Sequence, residues 1–164
     1  MIDARMIQVP MGELKLARNG EILCALLGSC VGIGMLWRRK NSVALAHCLL
    51  PQSPDVAIRH GARYVDQAVP SLLTLLGVRR DERGEIEVIL SGGASMFGPA
   101  GVSSGVGASN IAAAHKALIH HGMTVVHEAT GGRRGRTIRL DSKEGSYSIV
   151  KVDRQSEELG HASI

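Results

Sequence analysis

The chain has 164 residues, of which 45% are hydrophobic and 21% charged, so the composition excludes a disordered chain and predicts a soluble, globular one. The formal net charge is +4 but only 2% of the residues are aromatic, which argues against base stacking and nucleic-acid binding. No apolar run approaches the roughly 20 residues that cross a bilayer, and no secretory signal is recognisable, so neither membrane insertion nor export is expected. We expect a cytoplasmic protein with a single domain over residues 1–152 and a flexible polar tail over 153–164.

The first part of the chain is predicted to be rich in β-structure. Four segments carry the apolar and β-branched residues that are typical of strands. They cover residues 14–17, 22–27, 31–37 and 43–50. The polar stretch at residues 38–42 joins the last two segments and predicts that they form an antiparallel pair.

One long helix is predicted after these strands. Ser53 suits the N-cap, Pro54 the first helical position and Asp55 the positive end of a helix. Apolar residues then recur at helical spacing as far as Gly77, which is suited to a C-terminal stop. Pro70 lies inside this pattern and is expected to kink or split the helix.

The rest of the chain combines strands with a second helix. Residues 85–91 read as a strand that ends in a glycine-rich loop. Ser109 or Asn110 is expected to cap a helix that ends at Gly122. Three further strands are predicted at residues 124–129, 136–141 and 146–152. This order favours an α/β protein of the α+β type, in which mixed β-sheets pack together and helices flank them.

The three cysteines are expected to be free thiols. Their number is odd, no Cys-x-x-Cys motif occurs, and a chain without a secretory signal is expected in a reducing compartment. Each is therefore either a small buried hydrophobe or a reactive group. Cys48 is expected in the core, because it faces away from its neighbour His47 along the same strand.

Cys30 follows directly on Gly28 and Ser29. A turn at this point would expose the thiol at the end of a strand and leave backbone N–H groups free to hold an oxyanion. His47 is the best candidate for an activating base, since an imidazole is unusual in the otherwise apolar strand VALAHCLLP. Such a pair suits nucleophilic catalysis. Taken alone, such a cysteine and histidine are more often a structural thiol and a hydrogen-bonded core histidine than a catalytic pair.

Neither a metal nor an organic cofactor is expected. His120 and His121 are adjacent at the end of a predicted helix, where positive charge is favourable, and no third ligand has suitable spacing. The chain also lacks the GxGxxG and P-loop signatures of phosphate binding.

Five motifs, taken in order, resemble one family. They are LGSCVGI around Cys30, AHCLLP around His47, then GGASMFG, VGASN and GGRRGRT. Their order is similar to that in the chemoreceptor glutamine deamidases of bacterial chemotaxis, the CheD family, over about residues 22–140. The thiol turn followed by His-x-x-Leu-Pro is the most specific part of this resemblance.

The resemblance implies a cysteine-hydrolase fold shared with certain deamidating toxins. It implies that Cys30 is the nucleophile, that His47 is the general base, and that the substrates are glutamine side chains on the cytoplasmic domains of chemoreceptors (methyl-accepting chemotaxis proteins). The expected products are glutamate and ammonia, formed through a Cys thioester during chemotactic adaptation. Many family members also bind a CheC-type phosphatase, so such a phosphatase is a second expected partner.

One position departs from the family pattern. The family usually has Thr six residues before the nucleophile, where this chain has Cys24, and a thiol is a poorer hydrogen-bond partner than a hydroxyl. We keep Cys24 as the residue that orients the imidazole, with Ser29 and Asn110 as alternatives for that role. The residues expected to contact substrate are Ser29, Gly92, Gly93 and Asn110.

A second class of function is compatible with this sequence. A binding module that has lost activity could sequester a CheC-type phosphatase or a receptor, and the change at Cys24 favours this alternative. The two functions differ in one outcome, because only an enzyme releases ammonia from a glutamine-bearing receptor fragment.

Overall fold

The computed structural model describes residues 5–55, 60–95 and 105–152. Within these ranges, nine strands and two α-helices are described, together with 3-10 turns at Arg38–Lys40 and Arg80–Glu85. In chain order the strands and helices are β1 (Met6–Gln8), β2 (Leu14–Arg18), β3 (Ile22–Leu27), β4 (Val31–Trp37), β5 (Ser42–Cys48), α1 (Val65–Leu76), β6 (Glu87–Gly92), α2 (Val106–His120), β7 (Val125–Thr130), β8 (Arg136–Asp141) and β9 (Ser146–Lys151). The tail predicted over residues 153–164 lies outside the described residues.

The strands form two mixed sheets. One sheet has four strands in the order β1-β3-β8-β9, and the other has five in the order β2-β5-β4-β6-β7. The pairs β1–β3 and β6–β7 are parallel, and the remaining neighbours are antiparallel. The predicted antiparallel pairing of the third and fourth segments is confirmed as β4–β5.

The five-stranded sheet is covered on both faces. Alternate residues such as Ile33 and Met35 pack against the helices, whereas Leu36 and Leu45 face the four-stranded sheet. Both central strands, β4 and β5, are therefore buried along their whole length, which explains their nearly continuous apolar character. The predicted class, mixed sheets packed together with flanking helices, is confirmed. Both helices contribute to the core on the same face of this sheet.

The first helix is shorter than the sequence predicted. It begins at Val65, with Tyr64 as its N-cap, and Ser53 lies in a separate turn where its hydroxyl donates to the carbonyl of Asp55. Gly61 has a φ of 140°, a value that no helix contains, so the chain cannot run helically into α1. The intervening residues 56–59 lie outside the described part of the chain.

The end of this helix agrees with the sequence. Gly77 adopts a left-handed conformation with φ 75°, and its N–H bonds to the carbonyls of Leu73 and Thr74, as in a helix stop. Pro70 lies inside α1, which continues across it from Val65 to Leu76. The helix is therefore not split at this proline, and the other predicted outcome, a kink, stays a prediction.

The second helix begins earlier than expected. Gly105 precedes it, and Ser109 and Asn110 lie within its first turns, so neither is the cap that the sequence predicted. Gly107 explains the position of this helix: a Cβ there would lie 2.6 Å from the carbonyl oxygen of Ala94, so its absence lets α2 approach the loop after β6. Asn110 is turned into the protein and is fully buried.

Two other features were not predicted. Strand β1 has three residues, too few to produce a periodic pattern. The turn at residues 19–20 leads from one sheet to the other, since β2 and β3 belong to different sheets. None of the helices in the described ranges is both long and apolar enough to span a membrane.

The two sheets approach closely because β4 contains glycine. A Cβ at Gly32 would lie 2.8 Å from Cδ1 of Leu27, and one at Gly34 would lie 2.9 Å from Cδ1 of Leu140. Both leucines are fully buried in the core between the sheets. This part of the interface therefore has no room for a methyl group.

Replacing Gly34 by Ala is expected to destabilise the fold, because the added methyl group would displace the fully buried Leu140. Overpacking of this kind lowers the free energy of unfolding by about 1–3 kcal/mol. Gly84→Ala is the matched control, since nothing lies within 4 Å of a Cβ at that position. Urea unfolding measures both variants, and equal losses would contradict the close contact between the sheets.

Candidate active site

Cys30 lies where the chain passes from one sheet to the other. It ends the short Gly28–Cys30 connection between β3 in the four-stranded sheet and β4 in the five-stranded sheet. The loop after β6 holds this connection: the N–H of Gly93 donates to the Cys30 carbonyl at 2.8 Å, and the N–H of Ala94 donates to the Gly28 carbonyl at 2.9 Å. The thiol turn is thus fixed by backbone hydrogen bonds from a neighbouring loop.

Gly92 is required for this contact. Its φ is 95°, a conformation that favours glycine, and a Cβ at this position would collide with the Cys30 carbonyl oxygen. A side chain would therefore be strained by the backbone conformation and would also push the thiol turn away.

The strand register brings Cys30 and His47 to the same face. His47 pairs with Gly32 across the β4–β5 ladder, and Cys30 lies two residues before Gly32, directly ahead of the first residue of β4, so the two residues approach a diagonal arrangement. Diagonal positions of an antiparallel pair are about 7–8 Å apart. Both residues are buried, with 5% and 4% of their surface exposed. The predicted nucleophile and base therefore face the same layer between the sheets, and no hydrogen bond joins the Cys30 thiol to Nε2 of His47.

The orientation of the imidazole is fixed by a backbone group. Nδ1 of His47 lies 2.9 Å from the carbonyl oxygen of Val9. A carbonyl oxygen only accepts hydrogen bonds, so Nδ1 carries the proton and Nε2 of the neutral ring keeps its lone pair. Nε2 is buried and has no hydrogen-bond partner among the described residues. Such an atom costs about 1–3 kcal/mol in stability, and it is the atom that would accept a proton from a thiol.

Burial keeps both groups neutral. Desolvation lowers the pKa of His47 below its ordinary 6.5, and the Val9 hydrogen bond opposes this in part. Desolvation likewise raises the pKa of Cys30 above 9.0, although the backbone N–H of Cys30 itself partly stabilises the thiolate. The resting pair is therefore a thiol and an imidazole, not a thiolate–imidazolium ion pair.

Cys24 is not beside the imidazole. Its neighbours on β3, Leu23 and Ala25, face the core between the sheets, so the Cys24 side chain is on the other face of the strand. Neither ring nitrogen of His47 bonds to it. Its backbone carbonyl instead accepts the N–H of Val9 at 2.8 Å. The group that orients the imidazole is thus the Val9 carbonyl, which the sequence could not reveal because every residue has one.

Asn110 connects the two halves of the site. Its Nδ2 donates to the carbonyl of Ser29 at 3.0 Å and to that of Leu49 at 3.1 Å. The first carbonyl belongs to the thiol turn and the second follows the strand that carries His47. Asn110 therefore links the thiol turn to the end of the strand that carries His47, which differs from the direct contact with the imidazole that was one alternative.

The remaining candidates are placed as follows. Ser29, Gly92, Gly93 and Asn110 all border the thiol turn, and their contact with a substrate stays a prediction. Cys48 is fully buried in the core on the helix side of the sheet, as predicted, where burial raises its pKa far above the ordinary value. Within the described ranges, no three His, Cys, Asp or Glu residues are grouped so that they could hold a metal ion.

The fold and this site define a protein with a buried thiol and a buried imidazole, held at Nδ1 by a backbone carbonyl, in the layer between two β-sheets. A family model described as CheD chemotactic sensory transduction matches residues 49–151. The chain is 39% identical to a probable chemoreceptor glutamine deamidase CheD of Bdellovibrio bacteriovorus, covering 89% of this chain and 94% of that protein. The chain belongs to the CheD family, as its motifs indicated.

Other relatives agree over similar lengths. A probable chemoreceptor glutamine deamidase CheD 2 of Ruegeria sp. is 32% identical, over 93% of this chain and 96% of that protein. A probable chemoreceptor glutamine deamidase CheD of Methanococcus maripaludis is 37% identical, over 88% of this chain and 94% of that protein. These alignments cover nearly the whole of each relative.

Replacing Gly92 by Ala is expected to displace the thiol turn. Gly77→Ala is the matched control, because Gly77 has a similar φ of 75° but nothing within 4 Å of its Cβ. Both variants lose about 1–2 kcal/mol from the left-handed backbone, and Gly92→Ala loses more because its methyl group meets the Cys30 carbonyl. Thermal unfolding compares their stability, and iodoacetamide labelling read by mass spectrometry compares exposure of Cys30. Identical behaviour of the two variants would refute the role given to Gly92.

Proposed function

We propose that this protein deamidates glutamine side chains on the cytoplasmic domains of chemoreceptors. The observation that carries the proposal is the buried Nε2 of His47, which has no partner while Nδ1 is fixed by the Val9 carbonyl. A ring held in this tautomer beside a thiol is prepared to accept the thiol proton. The names of the relatives supply the substrate class.

The first chemical step forms a covalent bond to Cys30. Nε2 of His47 takes the thiol proton as the sulfur attacks the side-chain carbonyl carbon of the glutamine. The backbone N–H of Cys30 lowers the pKa of that thiol and so partly opposes the effect of burial, and the same N–H is suited to stabilise the resulting oxyanion. Because both groups are neutral at rest, proton transfer accompanies the attack and does not precede it.

The second step releases the products. The imidazolium returns its proton to the departing amine, the C–N bond breaks, and ammonia leaves a thioester on Cys30. Water then loses a proton to Nε2 and attacks the thioester. The C–S bond breaks, and the Cys30 thiol recovers its proton as glutamate is released. These steps need no metal or organic cofactor.

The biological role follows from the charge that the reaction creates. Each event converts a neutral amide into a carboxylate on a receptor helix, and like charges on neighbouring helical positions destabilise a helix bundle. We therefore propose that the protein acts in the cytoplasm on receptor signalling domains during chemotactic adaptation.

A second function is supported by a different observation. Cys24 replaces the usual Thr, and Cys30 is almost wholly buried with a raised pKa, features that suit a binding module with weak or no activity. Such a module would sequester a CheC-type phosphatase or a receptor. For an active enzyme, a CheC-type phosphatase is a further proposed partner.

Ammonia release from a purified receptor fragment tests the proposed function. Cys30→Ala is expected to abolish release because it removes the nucleophile, whereas Cys24→Ala, which removes a similarly buried thiol away from the imidazole, is expected to retain activity within a few-fold. Circular dichroism confirms that both variants fold. Binding of the fragment by the wild type without any ammonia would favour the binding module instead.

The pH dependence of kcat/KM is expected to reflect a neutral His47. Below its pKa the ring is protonated at Nε2 and cannot accept the thiol proton, so activity falls about tenfold per pH unit on the acid side. Because burial lowers this pKa, the midpoint of the fall is expected below pH 6.5. A midpoint at or above the ordinary histidine value would contradict a buried, neutral base.

A further inference from the structure

Arg136 is a buried arginine at the same end of the inter-sheet layer as the thiol. It is the first residue of β8 and has only 6% of its surface exposed. Ile138 and Leu140, which follow it at alternate positions, belong to the core between the sheets, so Arg136 faces the same layer. None of the proposed chemical steps uses this cation, which lies in an otherwise apolar row of side chains.

The packing across the layer aligns Arg136 with Cys30. A Cβ at Gly34 of β4 would contact Leu140, and one at Gly32 would lie 3.6 Å from Cγ2 of Ile138. If the same alignment continues two residues beyond Gly32 and Ile138, position 30 lies opposite position 136 across the layer. The strand geometry thus places Arg136 at the level of the nucleophile.

The guanidinium group of Arg136 forms a hydrogen bond to the loop between β7 and β8. Nη1 of Arg136 donates to the carbonyl of Gly131 at 2.8 Å, and Nη2 lies 3.8 Å from where a Cβ of Gly132 would be. Nε is buried without a partner, and no carboxylate in the described ranges forms an ion pair with this side chain. A buried cation without a counter-charge is destabilising, so its presence suggests a role other than stability.

Hydrogen bonds continue from this loop to the loop after β6. The N–H of Gly131 donates to the carbonyl of Gly92 at 3.0 Å, and the N–H of Ser95 donates to the carbonyl of Gly132 at 2.8 Å. The Gly92–Ser95 segment is therefore fastened on one side to the loop that Arg136 holds.

The same segment is fastened on its other side to the thiol turn. As described above, Gly93 and Ala94 donate their N–H groups to the carbonyls of Cys30 and Gly28. Two consecutive sets of backbone hydrogen bonds thus connect the guanidinium to the nucleophile. Movement of the first loop would be passed to the thiol turn through these main-chain hydrogen bonds.

We propose that Arg136 is a positioning residue for the nucleophile. It fixes the Gly131–Gly132 loop, which fixes the Gly92–Ser95 segment, which in turn sets the position of Cys30 relative to His47. This inference rests on the proposed function for its catalytic consequence. Displacement of reacting groups by about 1 Å can reduce turnover by about 100-fold, so the expected effect is on kcat and not on substrate binding.

The test compares Arg136→Met with Arg139→Met. Arg139 lies on the same strand but is exposed on the opposite face, so its replacement removes the same charge without touching the loop. We expect Arg136→Met to lower kcat for ammonia release by about 10- to 100-fold with KM little changed, and Arg139→Met to behave as the wild type. Arg136→Lys, which keeps the charge and one donor for the Gly131 carbonyl, is expected to recover part of the loss.

Amide hydrogen exchange provides a readout that does not depend on activity. In Arg136→Met the N–H groups of Gly93 and Ala94 are expected to exchange faster than in the wild type, with Arg139→Met unchanged. Unaltered exchange and unaltered kcat in Arg136→Met would overturn the inference. If the wild type releases no ammonia, only the proposed function is refuted. The exchange rates of Gly93 and Ala94 in the two variants would then show whether Arg136 positions the thiol turn.

If Arg136→Met does not fold, Arg136→Lys is used to test the positioning role of Arg136. A single ammonium group cannot reproduce the planar guanidinium between Gly131 and Gly132, so a folded lysine variant is expected to lose kcat several-fold. A folded lysine variant with wild-type kcat and wild-type exchange at Gly93 would overturn the positioning role.

Discussion

The hydrogen bond from Nδ1 of His47 to the Val9 carbonyl is the interaction on which the site depends. It fixes which ring nitrogen carries the proton and leaves the other nitrogen with a lone pair in a buried place. The close approach of the two sheets makes it possible, since Val9 lies in the core between them. Gly32 and Gly34 of β4 permit the same close approach of the sheets against Leu27 and Leu140.

Burial determines the protonation states of Cys30 and His47. Many cysteine nucleophiles are activated as thiolates by a nearby cation, but here desolvation opposes charge on both the sulfur and the ring. In the mechanism that we propose, charge therefore appears only as the substrate amide is attacked. In that proposal the backbone N–H of Cys30, which partly offsets the effect of burial on the thiol pKa, would also stabilise the oxyanion.

The sequence predicted the parts of the structure that carry periodic or chemical signals. The strands β4 and β5 and the opposite faces of His47 and Cys48 followed from alternation and residue type, whereas the catalytic pairing of Cys30 with His47 stays a prediction. Three features carried no such signal: the late start of α1, which Gly61 imposes through its backbone conformation, the short β1, and the main-chain carbonyl of Val9. The sequence did carry a signal for the burial of Arg136, since it alternates with Ile138 and Leu140. A basic residue at the end of a strand is nevertheless usually predicted to lie on the surface.

The carbonyl that orients the imidazole belongs to the main chain, and this has an evolutionary consequence. No substitution at Val9 can delete that oxygen, so the side chain there is free to drift among residues that fill the same volume. Selection for the orientation of the imidazole therefore acts on the backbone conformation at Val9 and not on the identity of its side chain. The residue at position 24, whose side chain lies on the other face of β3, can then vary while the histidine stays in place.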